Sequence, residues 1–154
     1  MAIDKVKEYF KKFDMEDRIQ EFDVSSATVD DAAKALNTEG KRIAKSLSFK
    51  TKDKIILIVL AGDAKVSNSK YKAQFHEKAH MLSFEEVNEI IGHPVGAVCP
   101  FALNDGVSVY LDEALKRFET VFPACGSTNS AIELTIPELE KTSNYLSWID
   151  VSTY

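Results

Sequence analysis

Apolar and polar positions along this chain fall into helical and strand periods in turn. In "DKVKEYFKKF", Val6, Tyr9 and Phe10, continued by Phe13, recur at helical spacing, which predicts an amphipathic helix over residues 3–13. "RIQEFDV" reads as a short strand. "SSATVDDAAKALN" opens on Ser/Thr caps with acids in its first turn, and Asn37 and Gly40 close it, so a helix is predicted over about 28–37. In "KRIAKSLSFKTKDKIILIVLAGD", Ile43, Leu47 and Phe49 lead into a polar "KTKDK" and then an apolar run over 55–61. That pattern predicts two strands joined by a tight turn, the second buried on both faces.

"SNSKYKAQFHEK" reads as a capped, polar helix of two or three turns. "SFEEVNEIIG" has Ser83 and Glu86 at capping-box spacing and stops at Gly92, so "AHMLS" before it must be a short extended connection. Short strands with Gly/Pro turns follow in "GAVCPFA", "GVSVYLD", "ETVFPACG" and "SAIELTI". A helix over about 137–143 and the strand-like "YLSWIDV" end the chain. No regular βαβ alternation is present, so the expected class is α+β with a largely antiparallel or mixed sheet.

Composition narrows the picture. The 154 residues fit one domain, 1–154, with 45% hydrophobic and 28% charged residues and no repeat or linker. No apolar run has the length of a membrane span, and the charged N-terminus lacks a signal-peptide core, so a cytoplasmic location is expected. Cys99 and Cys125 do not make a disulfide framework. Net charge is −5, yet residues 41–80 hold ten Lys/Arg against three acids. One reading is a basic face for an anionic partner; the other is a set of solvated lysines on hairpins and helices.

Two motifs raise catalytic questions. "HEKAH" at 76–80 matches the His-Glu-x-x-His zinc pattern. A helix starting at Ser83 leaves His80 beyond the end of the preceding helix, however, and the segment is polar nearly all round. Two solvent-facing histidines and no metal are therefore expected, with a zinc hydrolase as an alternative. Cys99 near His93 suggests a thiol nucleophile with a base, against the reading of a small buried hydrophobe.

Four segments carry a resemblance: "GKRIAKSLSF", "GHPVGAVCPFAL", "VYLDEAL" and "ACGSTNSAIELTIPEL", in this order and spacing. Together, over residues 20–151, they resemble the YbaK/prolyl-tRNA-synthetase-associated domain family, which hydrolyses mischarged aminoacyl-tRNA. The resemblance implies an α+β fold with a mixed sheet curled around a pocket and flanked by helices. It makes Lys45 the functional lysine and Gly96 and Pro100 the ends of the Gly-x-x-x-Pro loop. It places Asp112, Gly126, Ser127 and Asn129 at the pocket. The run "CGSTNS" departs from YbaK itself, which has Gly-Gly-Lys/Arg-Gly there.

The chemistry suits these residue types. An aminoacyl ester is already activated, so its hydrolysis needs placed water and oxyanion donors more than a strong nucleophile. Glycine lets main-chain N–H groups approach the carbonyl, and Lys45 can hold the terminal phosphate or ribose. Cys99, Phe101 and Cys125 are the candidate walls that would admit a small side chain. The resemblance implies a trans-editing deacylase without cofactor, with the aminoacylated acceptor end of tRNA and prolyl-tRNA synthetase as expected partners. A monomer is expected, with no DNA or membrane partner. A non-catalytic tRNA- or synthetase-binding module of the same fold is the alternative.

Overall fold

Residues 56–61, the heart of the apolar run, are all 0% exposed and form the centre of the molecule. A computed structural model of the chain describes residues 2–154. In chain order the elements are α1 (Ala2–Lys11), β1 (Gln20–Glu21), α2 (Val29–Leu36), β2 (Ile43–Lys50), β3 (Ile55–Ala61), β4 (Lys65–Val66) and α3 (Asn68–Phe75). They continue with α4 (Phe84–Glu86), β5 (Val107–Asp112), β6 (Thr120–Pro123), β7 (Ser130–Ala131), β8 (Leu134–Thr135), α5 (Ile136–Ser143), β9 (Ser147–Ile149) and β10 (Ser152–Thr153).

The main sheet has the order β8-β6-β2-β3-β5-β9. Its core is the expected hairpin, with Ala44 opposite Ala61 and Lys50 opposite Ile55. β5 runs parallel to β3, β9 to β5 and β6 to β2, while β8 is antiparallel to β6. Two antiparallel ribbons, β1 with β7 and β4 with β10, complete the pairing. The main sheet is thus mixed, with two antiparallel pairings and three parallel ones. It curls as a half-barrel and leaves an open cleft along β2.

Helix ends follow local chemistry. Thr28 Oγ1 accepts from the Asp31 amide at 3.1 Å, and Asn37 closes α2 in the left-handed region at φ 55°. α1 buries Ile3, Val6 and Phe10, with Phe10 4.6 Å edge-on from Phe101. The Ser83/Glu86 capping box forms, but the turn after α4 widens into a π-type turn over Val87–Ile91 before Gly92 ends it. Two expected strands differ. "GAVCPFA" is a loop, bounded by Gly96 and Ala102, both with positive φ. "SAIELTI" divides into β7 and β8.

Candidate active site

β2 supplies one wall of a cleft of about 450 Å³. Residues 27–29 at the entry to α2, residues 95 and 96, and β7 close round it. The lining is largely apolar, with Ser46, Ser48 and Ser130 among its residues. Lys45 is the one titratable side chain that lines it among the described residues. Among the described residues no carboxylate, imidazole or thiol shares that wall.

Lys45 is half-buried, and its Nζ donates to the Gly62 carbonyl at 3.2 Å. Burial lowers its pKa from 10.5, Asp63 partly offsets this, and Lys65 adds to the lowering. Asp63 itself is held by Arg117 through two bonds of 3.0 and 2.6 Å, so Lys45 forms no ion pair among the described residues. Gly62 is glycine for a steric reason: a Cβ there would meet the Gly40 carbonyl oxygen at 2.0 Å. The turn after β3 therefore packs backbone on backbone and presents its carbonyl to Lys45.

Gly96 faces Lys45's cleft from the 92–104 loop with φ +89°, and its missing Cβ lets the chain approach Ala27 Cβ, which an alanine would meet at 3.2 Å. Its amide donates to no protein acceptor among the described residues, which leaves it available to an oxyanion. The loop is pinned from behind. Lys5 Nζ donates to Gly92 O at 2.9 Å, and Asn104 Nδ2 to Glu89 O at 3.0 Å. Pro100 is buried at the far end of the loop and does not line the cleft.

His93 and Cys99 lie side by side, Sγ 3.5 Å from Nε2, both fully buried behind that loop. They are not a nucleophile and its base. His93 Nε2 lies 2.7 Å from the Phe101 carbonyl, which can only accept, so Nε2 carries the proton. Burial lowers the His93 pKa and pushes the Cys99 thiol up to about 12. His93 thus clasps the two ends of the loop together.

The other expected site residues divide sharply. Cys99, Phe101 and Cys125 are 0% exposed in the core and form no part of the cleft wall. Asp112 is buried too, accepting from Ala114 N at 3.1 Å, Val151 N at 3.0 Å and Ser152 Oγ at 2.6 Å, which ties the C-terminal strands to β5. Gly126 packs under α1, where a Cβ would meet Ala2 O at 2.9 Å. Ser127 and Asn129 touch the cleft only through Ser130: Ser127 Oγ lies 2.6 Å from Ser130 Oγ and donates to Asn129 Oδ1. Ser46 was not singled out by the sequence, yet it lines the cleft with its Oγ buried and without a hydrogen-bond partner. Adjacent strand residues point to opposite faces, so its place beside Lys45 gave no signal.

The "HEKAH" histidines do not share a helix. His76 is the left-handed C-cap of α3 at φ 62°, and His80 lies beyond it with its carbonyl accepting from Lys50 N at 2.8 Å. The i, i+4 helical geometry that the zinc pattern requires is therefore missing.

The fold and cleft define a class: an α+β half-barrel with one lysine and a glycine-bearing loop on a largely apolar pocket. The aminoacyl-tRNA editing domain matches residues 23–142, and the chain belongs to that family. It is 53% identical over 152 residues to the uncharacterized protein YwhH of Bacillus subtilis (strain 168), covering 98% of this chain and 97% of that one. It is 32% identical over 90 residues to the proline–tRNA ligase of Kosmotoga olearia, which covers 58% of this chain but 16% of the ligase. A crystal structure provisionally described as a trans-editing enzyme for prolyl tRNA synthetase superposes with a TM-score of 0.89 at 24% identity, covering 99% and 98% of the two chains. No helix among the described residues is long and apolar enough to cross a membrane.

Proposed function

We propose that this protein hydrolyses the ester bond of mischarged aminoacyl-tRNA in trans, removing a small amino acid, with tRNA-Pro the favoured carrier. The observation that carries the reading is the cleft's chemistry: among the described residues a single half-buried lysine, a free glycine amide and serines, with no thiol and no imidazole or carboxylate to activate a hydroxyl. An activated ester needs no more than that. Lys45 holds the terminal ribose or phosphate, Gly96 N–H meets the developing oxyanion, and water attacks the carbonyl. The buried Pro100 stiffens the loop that carries Gly96. The family match supports the aminoacyl-tRNA substrate, and the similarity to a segment of proline–tRNA ligases supports tRNA-Pro.

Specificity falls to the apolar lining, including Ala32, Phe122 and Ala131, in place of the core residues Cys99, Phe101 and Cys125. One methylene in such a pocket is worth only ~1–3 kcal/mol, so a sieve of this kind sorts by size and not by polarity. A panel of tRNAs charged with alanine, serine, threonine or cysteine tests the reading. Release of at least one amino acid by the purified protein is expected. Tight tRNA binding without release from any member would favour a non-catalytic module.

A further inference from the structure

We propose that the exposed apolar rim of this cleft, centred on Phe84, is the stacking platform for the unpaired 3′-terminal base of the tRNA. The backbone phosphates then run toward Lys52 and Lys78. The inference rests on the editing reading above and places the nucleotide that the ester hangs from.

The described residues include six large apolar side chains that are exposed, and three of them gather at this one mouth. Phe84 is 74% exposed, Met81 55% and Val95 43%, and all three line the cleft. A cluster of exposed apolar groups on a charged surface marks a binding surface. Phe84 is also held in place. It is the first residue of α4, locked between Ser83 and Glu86 by Ser83 N donating to Glu86 Oε1 at 2.8 Å and Glu86 N to Ser83 Oγ at 3.3 Å. Glu86 in turn pairs with Lys50 at 2.9 Å, and Met81 bridges to Phe49. The rim is thereby tied to the end of β2, and a fixed aromatic needs little ordering when it binds.

Cations border the same rim. Lys50 N bonds to His80 O at 2.8 Å, and Lys52 N to Glu77 Oε2 at 3.2 Å. These bonds bring the 50–52 turn against the 77–80 segment, so Lys50, Lys52 and Lys78 lie on segments that adjoin the Met81 and Phe84 rim, outside the cleft lining and with Glu77 and Glu86 among them. Lys52 and Lys78 form no ion pair among the described residues. An aromatic face near the unpaired Lys52 and Lys78, with Lys50 held by Glu86, suits a nucleotide, with the base on the ring and phosphates on the ammonium groups. A purely apolar peptide would leave those charges unused.

The test compares wild type with Phe84→Ala, Phe84→Leu and Phe84→Tyr. Two measurements are made: steady-state deacylation of a mischarged tRNA, and binding of a fluorescein-labelled single-stranded RNA tetranucleotide ending in adenosine. Because Phe84 is exposed, all three variants should fold, which circular dichroism checks. Loss of a base stack should raise KM and the RNA Kd of Phe84→Ala by about 5- to 150-fold while kcat stays within a few-fold. Phe84→Tyr should behave as wild type, and Phe84→Leu should not recover. Wild-type RNA affinity in Phe84→Ala, or full recovery by Phe84→Leu, overturns the platform and points to a protein partner for this patch. If wild type deacylates nothing, the editing reading fails, and the RNA measurement still decides the platform by itself.

Discussion

Replacing Gly62 with alanine probes the backbone that holds Lys45. A Cβ at this position would lie 2.0 Å from the Gly40 carbonyl oxygen and 2.9 Å from Val29 Cγ1. Gly62 is not among the positive-φ residues, so the penalty is steric and not conformational. The obstacle is main chain, which has no alternative rotamer, and restoring ordinary contact takes a shift of about 1 Å or more. Overpacking of this kind costs ~1–3 kcal/mol. At ~2–4 °C per kcal/mol for a chain of this size, Tm should fall by roughly 2–12 °C. The same shift moves the carbonyl that receives Lys45 Nζ. A misplacement near 1 Å at a reacting site costs on the order of 100-fold in rate. Differential scanning fluorimetry and single-turnover deacylation read the two effects separately. An unchanged Tm would refute the packing argument, and an unchanged rate with a lowered Tm would show that Gly62 does not position Lys45.

Other consequences follow from burial and charge. Cys99 and Cys125 are fully buried with raised pKa values, so iodoacetamide should label neither in the native protein and both after unfolding. Cys99→Ala should keep deacylation within a few-fold, and an acyl adduct trapped on Cys99 would contradict water attack. Glu138 is held down to about 2, first by the hydrogen bond from Arg18, and Glu86 to about 2, first by the Ser83 backbone N–H. A carboxylate whose folded pKa lies below its usual 4.5 stabilises above that value and loses its contribution as pH falls through the folded value. The urea midpoint should therefore drop between about pH 4.5 and 2, and Glu138→Gln should flatten that limb; an unchanged acid limb would refute it. His76→Ala and His80→Ala should each change the rate by less than about tenfold, since loss of a metal ligand costs far more.

Much of the fold was legible because local chemistry and tertiary packing agree. Thr28 and Asn37 cap α2 where their residue types suggest, and the Ser83/Glu86 box forms as its spacing implies. Placing a helix start at Ser83 was enough to separate the two "HEKAH" histidines. What periodicity does not carry is which strands become neighbours, because β3 meets β5 only after a separation of more than forty residues. Nor does it show the side on which an apolar residue beside a motif will lie. Phe101 turns onto Phe10 while Val98, three residues earlier, lines the cleft. Cys99 and Cys125 read equally well as pocket wall or core until the loop is seen folded over them. Phe84 shows the converse: an apolar residue at a helix start looks like core, and only the assembled fold leaves it exposed.

The central claim is that this cleft hydrolyses an aminoacyl ester through Lys45. The direct test is the deacylation rate of wild type, Lys45→Ala and Lys45→Arg on the best substrate of the mischarged-tRNA panel, with Tm measured for each. Lys45→Ala should lose ~100-fold or more at an unchanged fold. Lys45→Arg should recover little, because a planar fork does not replace a compact ammonium beside the Gly62 carbonyl. A folded Lys45→Ala protein that deacylates at the wild-type rate would contradict the account.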